Sequence, residues 1–290
     1  MTNNDLAPHR RIMTAFGSAF EVVIRTLAKP LYTYKVNPKW IEIKEIELTL
    51  PRLAAEFDGF RLLQAGDFHM GTWMTEERFK MVIDLITQQQ VDVVAITGDY
   101  VSHNTDRHED AMIAELKKLT ATFPTYSVLG NHDHWSGADN VRRIMSASGI
   151  VELRNQVHTL QRGGAQLHLA GIDDIWEHKE DLDQVLGMLP EDGCAILLSH
   201  EPDYAGVSAP TGRFDLQISG HSHGGQMVLP FIGPPIRVPG GIKYPLGQYQ
   251  IEDMVLYTNR GLGTSTLPIR INCRPEITIF TLHSGVSSNE

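Results

Sequence analysis

The stretch GNHDHW (130 to 135) packs an amide, two imidazoles, a carboxylate and an indole into one turn, and four other short blocks carry similar chemistry: GDFH (66 to 69), GDY (98 to 100), SHEPD (199 to 203) and GHSH (220 to 223). Together Asp67, His69, Asp99, Asn131, His200, His221 and His223 make a mixed set of nitrogen and oxygen donors. Such a set suits borderline transition-metal ions better than Ca²⁺ or Mg²⁺, which favour oxygen alone. A single D-x-H says little. The weight comes from five blocks in order, each following a buried, strand-like run. Asp67 and His69 are two apart, as are His221 and His223, and in extended backbone that spacing turns both side chains to one face.

The elements that position these residues follow a regular grammar. FRLLQAG (60 to 66), VDVVAITG (91 to 98) and TYSVLG (125 to 130) read as strands, separated by the helical patterns EERFKMVIDLITQQQ and EDAMIAELKKLTATF, which gives a βαβαβ unit with a parallel sheet. WIEIKEIELTL (40 to 50) alternates like a half-buried strand, and QLHLAGI, CAILLSH, FDLQISG, QMVLP, MVLYTN and EITIFTL add strands to the second half. An α/β chain of this kind is expected to pack two sheets face to face with helices outside. Ligands of open α/β sheets bind beyond the C-terminal strand ends, so the five blocks should converge there.

Composition limits the alternatives. The chain has 290 residues, 42% hydrophobic, and a formal net charge of -10, so it lacks an overall basic field for nucleic acid and no such partner is expected. Cys194 and Cys273 sit in strand-like contexts and read as core residues. Near the N-terminus, Ile12, Met13, Phe16, Phe20, Val23, Ile24 and Leu27 form one apolar helical stripe, interrupted in sequence by Glu21 and Arg25. Residues 1 to 36 are therefore expected to form an amphipathic helical extension, and 37 to 290 the main domain. The stripe either packs on that domain or makes peripheral membrane contact through residues 12 to 27. No apolar run is long enough to span a bilayer and no cleavage site follows, which predicts an uncleaved cytoplasmic protein.

GDFHMG, GDYV, GNHD, SHEPD and GHSHGG resemble the five ordered blocks of the calcineurin-like metallophosphoesterases, over about residues 60 to 283. The resemblance implies a four-layer α/β/β/α sandwich of two mixed sheets and a centre of two divalent metal ions, Mn²⁺, Zn²⁺ or Fe. By the same resemblance Asp67, His69 and His223 bind one ion, Asn131, His200 and His221 the other, and Asp99 bridges them. Gly66 and Phe68 stand where the family often has Ser and Leu, neither at a ligand position. The tail from 247 to 282 is similar to a bacterial subfamily with membrane-associated phosphoesterases, including a UDP-2,3-diacylglucosamine diphosphatase. GDYVSHN and GNHD depart from the GDxVDRG and GNHE of protein phosphatases, which argues against that activity.

The implied reaction is hydrolysis of a small phosphodiester or pyrophosphate by a hydroxide bridging the two metals. His132, left outside the ligand set, would be the general acid, suited by an imidazole pKa near 6.5, with Asp133 orienting it. His134 reads equally as a donor to a neighbouring group or a surface histidine, and Trp135 as packing more often than as a stacking platform. Arg260, before GLGTS, reads as a bidentate phosphate ligand or as an ion pair beside a turn. The Pro- and Gly-rich segment 228 to 247 is expected to be an ordered loop beside the metals. Histidines 9, 103, 108, 158, 168, 178 and 283 receive no role. Two other functions compete: a UDP-2,3-diacylglucosamine diphosphatase working at a membrane surface, and a catalytically silent binding scaffold on the same fold.

Overall fold

The computed structural model describes residues 38–285, except 72, 103–106 and 266. The predicted N-terminal helix, with its apolar stripe at residues 12 to 27, lies outside the described residues.

Strand β1 (Glu42–Leu50) exposes every second residue over most of its length, as its sequence alternation demands. The strands β2 (Phe60–Ala65), β3 (Val93–Ile96) and β4 (Thr125–Ser127) are buried on both faces, hence their continuous apolar runs. With β5 (Val151–Glu152) and β12 (Glu276–Ser284) they form a six-stranded sheet in the order β1-β12-β2-β3-β4-β5. Strands β2 to β5 run parallel, while β12 runs antiparallel to β2 and parallel to β1. The second sheet, order β10-β11-β9-β8-β7-β6, joins β6 (Gln156–Arg162), β7 (Ala165–Gly171), β8 (Cys194–Leu198), β9 (Leu216–Ser219), β10 (Gly247–Ile251) and β11 (Met254–Thr258). Here β7, β8, β9 and β11 are parallel, with antiparallel β6 and β10 at the edges.

The period of two along each strand divides the core. Leu62, Val93, Ala95, Leu169, Ile196, Leu198, Leu216 and Ile218 meet between the sheets. Their neighbours Leu63, Val94 and Ile96 face helices α1 (Glu76–Thr87), α2 (Glu109–Thr122) and α3 (Asn131–Ser148), and Leu197 and Ala195 face α4 (Leu182–Met188) and α5 (Ala205–Ser208). The result is the expected four-layer sandwich. Helix α1 begins where Thr75 Oγ1 accepts the Arg78 amide and Glu76 and Glu77 fill the first turn, and it buries Phe79, Val82, Ile83 and Ile86 on one face.

Two expectations fail locally. GNHDHW is not an isolated turn: Gly130 is the N-cap of α3, and Asn131 to Trp135 form its first turns. QMVLP is not a strand. Met227 and Leu229 make only isolated bridges, to Ile271 and Gly233, because Pro230 has no amide to donate and Phe231 turns the chain at φ 66°. No helix among the described residues is long and apolar enough to cross a membrane.

Candidate metal centre

The C-terminal ends of β2, β3 and β4 in one sheet and of β8 and β9 in the other open onto the same edge of the sandwich, and the predicted ligands gather there. The pairs 67/69 and 221/223 are not extended, as their spacing suggested. Asp67, His69, Asp99, His221 and His223 all have φ between 50° and 68°. Left-handed backbone is uncommon outside glycine and clusters at functional sites, with Asp and His among its more tolerant occupants. The glycines preceding the ligands answer a second demand, close approach. A Cβ on Gly130 would strike Asp99 Oδ1 and lie 2.7 Å from the His200 ring, and one on Gly220 would strike the Asp67 carboxylate.

Asp67, His69, Asp99 and His223 are buried, with one ligand atom of each within 4.8 Å of all the others. His69 Nε2 is 2.9 Å from His223 Nε2, His223 Nε2 is 3.5 Å from Asp67 Oδ1, and His69 Nε2 is 3.3 Å from Asp99 Oδ2. A second group adjoins the first. His200 Nε2 is 3.3 Å from the same Asp99 Oδ2, 3.2 Å from Asn131 Oδ1 and 3.1 Å from His221 Nδ1.

Hydrogen bonds behind this second group determine which atoms carry protons. His200 Nδ1 donates to Thr97 O at 2.7 Å and His221 Nε2 to Pro239 O at 2.7 Å, since a carbonyl can only accept. In those neutral tautomers the inward atoms, His200 Nε2, His221 Nδ1, Asn131 Oδ1 and Asp99 Oδ2, all present lone pairs. With His200 neutral these four acceptors would face one another without a donor, so either a proton on His200 Nε2 or a cation must join them, and an oxygen and nitrogen set of this kind fits a divalent transition metal.

Electrostatics agree. Burial, reinforced by Asp99, pushes Asp67 up to about 6 although His200 and His69 pull it down. Burial also opposes ionisation of Asp99, yet His200, His132 and His69 hold it well below the usual carboxylate range. Burial would lower His200, but Asp99 and Asp67 raise it well above the ordinary imidazole value. Around Asp99 the pocket thus favours a proton on His200, whereas burial lowers His132, His221 and His223.

His132 stands beside the ligands. Its amide donates to Asp99 Oδ1 at 3.0 Å, its ring meets that of His69 edge to face at 4.7 Å, and its Nδ1 lies 3.4 Å from Ser102 O. Burial pushes its pKa down to about 4 against the pull of Asp99. Asp133 does not orient it. The Asp133 carboxylate accepts the amides of Tyr100 (2.8 Å), Val101 (3.3 Å) and Gly130 (3.1 Å), so it caps α3 and ties the Asp99 loop to it.

Arg260 is likewise unavailable to a phosphate, being paired with Glu276 and, at 2.8 Å, with Glu42. His134 Nε2 binds Asp173 Oδ1 at 2.8 Å. The 228–247 loop does reach the site through Pro239, while Phe231 and Ile232 at its far turn are exposed. Sequence reasoning missed Arg270, whose Nη2 lies 3.2 Å from His223 Nδ1 while it donates to the carbonyls of Arg260 and Gly261. It missed Glu201 too, which accepts the Trp176 amide at 3.2 Å directly behind His200. PIRINC carries no signal for the first. The second was visible inside SHEPD.

A family model described as calcineurin-like phosphoesterase matches residues 60–225. The chain is 38% identical over 256 residues to a metallophosphoesterase of Bacillus subtilis, YkuE, covering 87% of this chain and 89% of that one. It is 29% identical to the phosphodiesterase YaeI of Escherichia coli over 92% of this chain and 97% of that one. Among solved structures, phosphopantetheinyl hydrolase from Mycobacterium tuberculosis aligns over 70% of this chain and 89% of that chain with a TM-score of 0.43 and 11% identity. The chain belongs to the calcineurin-like phosphoesterase family and is a metal-dependent phosphoric ester hydrolase.

Proposed function

We propose that the chain hydrolyses small phosphodiesters, or the related pyrophosphate linkage, with two divalent ions that share Asp99. Asp67, His69 and His223 would hold one ion, and Asn131, His200 and His221 the other. The observation that carries this is a single oxygen, Asp99 Oδ2, which lies 3.3 Å from His69 Nε2 and 3.3 Å from His200 Nε2. Two such ions, when bound, supply acidity to water and positive charge against the phosphoryl oxygens. Mn²⁺, Zn²⁺ and Fe suit the donor set.

The chain's own contribution is position and proton transfer. His132 N donates to Asp99 Oδ1, which leaves Oδ2 turned toward both ligand groups. The His132 ring flanks the ligand cluster with Nδ1 toward Ser102 O, so its Nε2 edge is the one to meet a substrate. An anionic diester beside that ring favours the imidazolium, and a proton held at Nε2 passes to the departing oxygen. A diester is favoured over other phosphate esters by the similarity to the phosphodiesterase YaeI.

The test uses the full-length chain stripped with a chelator and reloaded with Mn²⁺ or Zn²⁺. Hydrolysis of phosphodiesters should return with metal and exceed that of the matching monoesters. A reloaded, folded protein that cleaves monoesters but no diester would overturn the substrate class. One that cleaves diesters equally well without metal would overturn the role of the centre.

A further inference from the structure

We propose that the loop from 228 to 247 docks on a lipid bilayer that carries anionic headgroups, with Phe231 and Ile232 entering its apolar layer and Arg237 and Lys243 meeting its charge. The inference does not depend on which phosphate ester the centre cleaves.

Apolar exposure is concentrated in this loop. Of the eleven large hydrophobic residues exposed among the described ones, five, Phe231, Ile232, Ile236, Ile242 and Leu246, fall within it. Ile271, bridged to Met227 just before the loop, is a sixth. Phe231 is fully exposed and Ile232 is 72% exposed. Single apolar residues are ordinary on a protein surface, but several gathered in one segment mark a surface of contact.

The tip is a built turn. The Leu229 amide donates to Gly233 O at 3.0 Å, and the amides of Ile232 and Gly233 return to Leu229 O at 3.2 and 2.9 Å. Pro230, Pro234 and Pro235 restrict the backbone around it, which lowers the cost of ordering the tip at a surface. Phe231 itself stands at φ 66°, an unfavourable conformation for a bulky residue, yet its fully exposed ring gains no packing within the chain that would offset this. The second half of the loop is fastened to the domain. Asp203 accepts the amides of Ile242 and Lys243 at 3.0 Å each and of Tyr244 at 3.2 Å, and Ser222 Oγ donates to Pro245 O at 2.6 Å. Pro239 O accepts from His221 Nε2, so the strap that carries the tip also touches the metal centre.

Charge identifies the occupant. The whole chain carries a formal -10, but 228 to 247 holds Arg237 and Lys243, both exposed, and no Asp or Glu. An apolar tip with cations a few residues behind it complements an anionic bilayer, where insertion buries the apolar side chains and the headgroups attract the cations. A second copy of this chain in a two-fold contact would bring the same positive charges to face each other, which disfavours self-association through this loop.

The experiment sediments the metal-loaded full chain with vesicles of phosphatidylcholine and phosphatidylglycerol in equal parts, and with vesicles of phosphatidylcholine alone. The wild type should bind the mixed vesicles more tightly and lose that advantage as salt is raised. Phe231→Ser combined with Ile232→Ser should weaken partitioning about tenfold or more on the mixed vesicles. Arg237→Gln combined with Lys243→Gln should weaken it by about fivefold for each charge on the mixed vesicles and leave binding to phosphatidylcholine unchanged. Both double variants should keep the wild-type metal content and unfolding midpoint, because the contact with the centre runs through Pro239 and not through these side chains. Met188→Ser, which removes an exposed apolar residue on α4, should partition like the wild type. A wild type that stays in the supernatant, or a Phe231→Ser, Ile232→Ser protein that partitions unchanged, would overturn the docking. So would a wild type that is dimeric without vesicles and monomeric with those two substitutions, since the loop would then serve a second copy.

Discussion

Leu62, Val93, Ile196 and Leu216 lie in the middle of the sandwich, and Asp67, Asp99, His200 and His221 lie a few residues further along the same chain segments. The first set is buried, apolar and in extended strands. The second is buried as well, but polar, and three of its four members have left-handed backbone. Burying opposed acceptors and straining φ both cost stability, and the interior apolar surface offsets that cost. The contrast shows how one fold divides its labour: the middle of each strand holds the sheets together, and the strand ends hold an arrangement that is unfavourable until a cation joins it.

Substitutions should separate the two regions. The largest effect is expected for His132→Ala, which should keep its metals and its stability but lose about 10²- to 10⁴-fold in turnover on esters with poor leaving groups. An activated aryl diester should lose less, and equal losses on both would assign His132 to positioning instead of proton donation. In the middle of the sandwich, Leu62→Ala should destabilise the fold by about 2–5 kcal/mol in denaturant titrations, with kcat near the wild-type value while the protein remains folded. A large fall in kcat without a fall in stability would contradict the division. Gly130→Ala should show the reverse pattern. Its Cβ meets Asp99 Oδ1 and the His200 ring, so metal affinity should drop roughly 10- to 100-fold, as when the support of a metal ligand is disturbed, with a smaller change in the unfolding midpoint of the metal-free protein. Unchanged metal affinity would mean that the loop relaxes without moving Asp99.

The same contrast explains what the sequence made legible. The strands could be read because apolar runs such as FRLLQA and CAILL are buried on both faces and leave no polar break. The candidate ligands stood out because Asp and His seldom follow glycine at the end of so many strands by chance, although the backbone that brings them together, largely left-handed instead of extended, carries no alternation to reveal it. Helix α3 was hidden. Its first half, NHDHWSGADN, is poor in helix formers, Gly137 departs from helical geometry at φ 104°, and the buried apolar positions Val141, Ile144 and Met145 come only in its second half. Asp133 was misassigned for the same reason: without the helix, its place at the capping position could not be seen. Arg260 and Arg270 depended on partners far away in sequence, Glu42 for one and the His223 loop for the other. Edge strands β6 and β10, half exposed, lacked the apolar content of the central strands.

The most direct test of the shared-carboxylate centre is metal counting on the purified full-length chain, wild type beside Asp99→Ala, after loading with Mn²⁺ or Zn²⁺ and removal of excess. Because Asp99 Oδ2 faces both ligand groups, the wild type should hold close to two ions per chain and Asp99→Ala should lose tight binding of both. A wild type that saturates at one ion, or an Asp99→Ala protein that still holds two, would contradict the dinuclear centre.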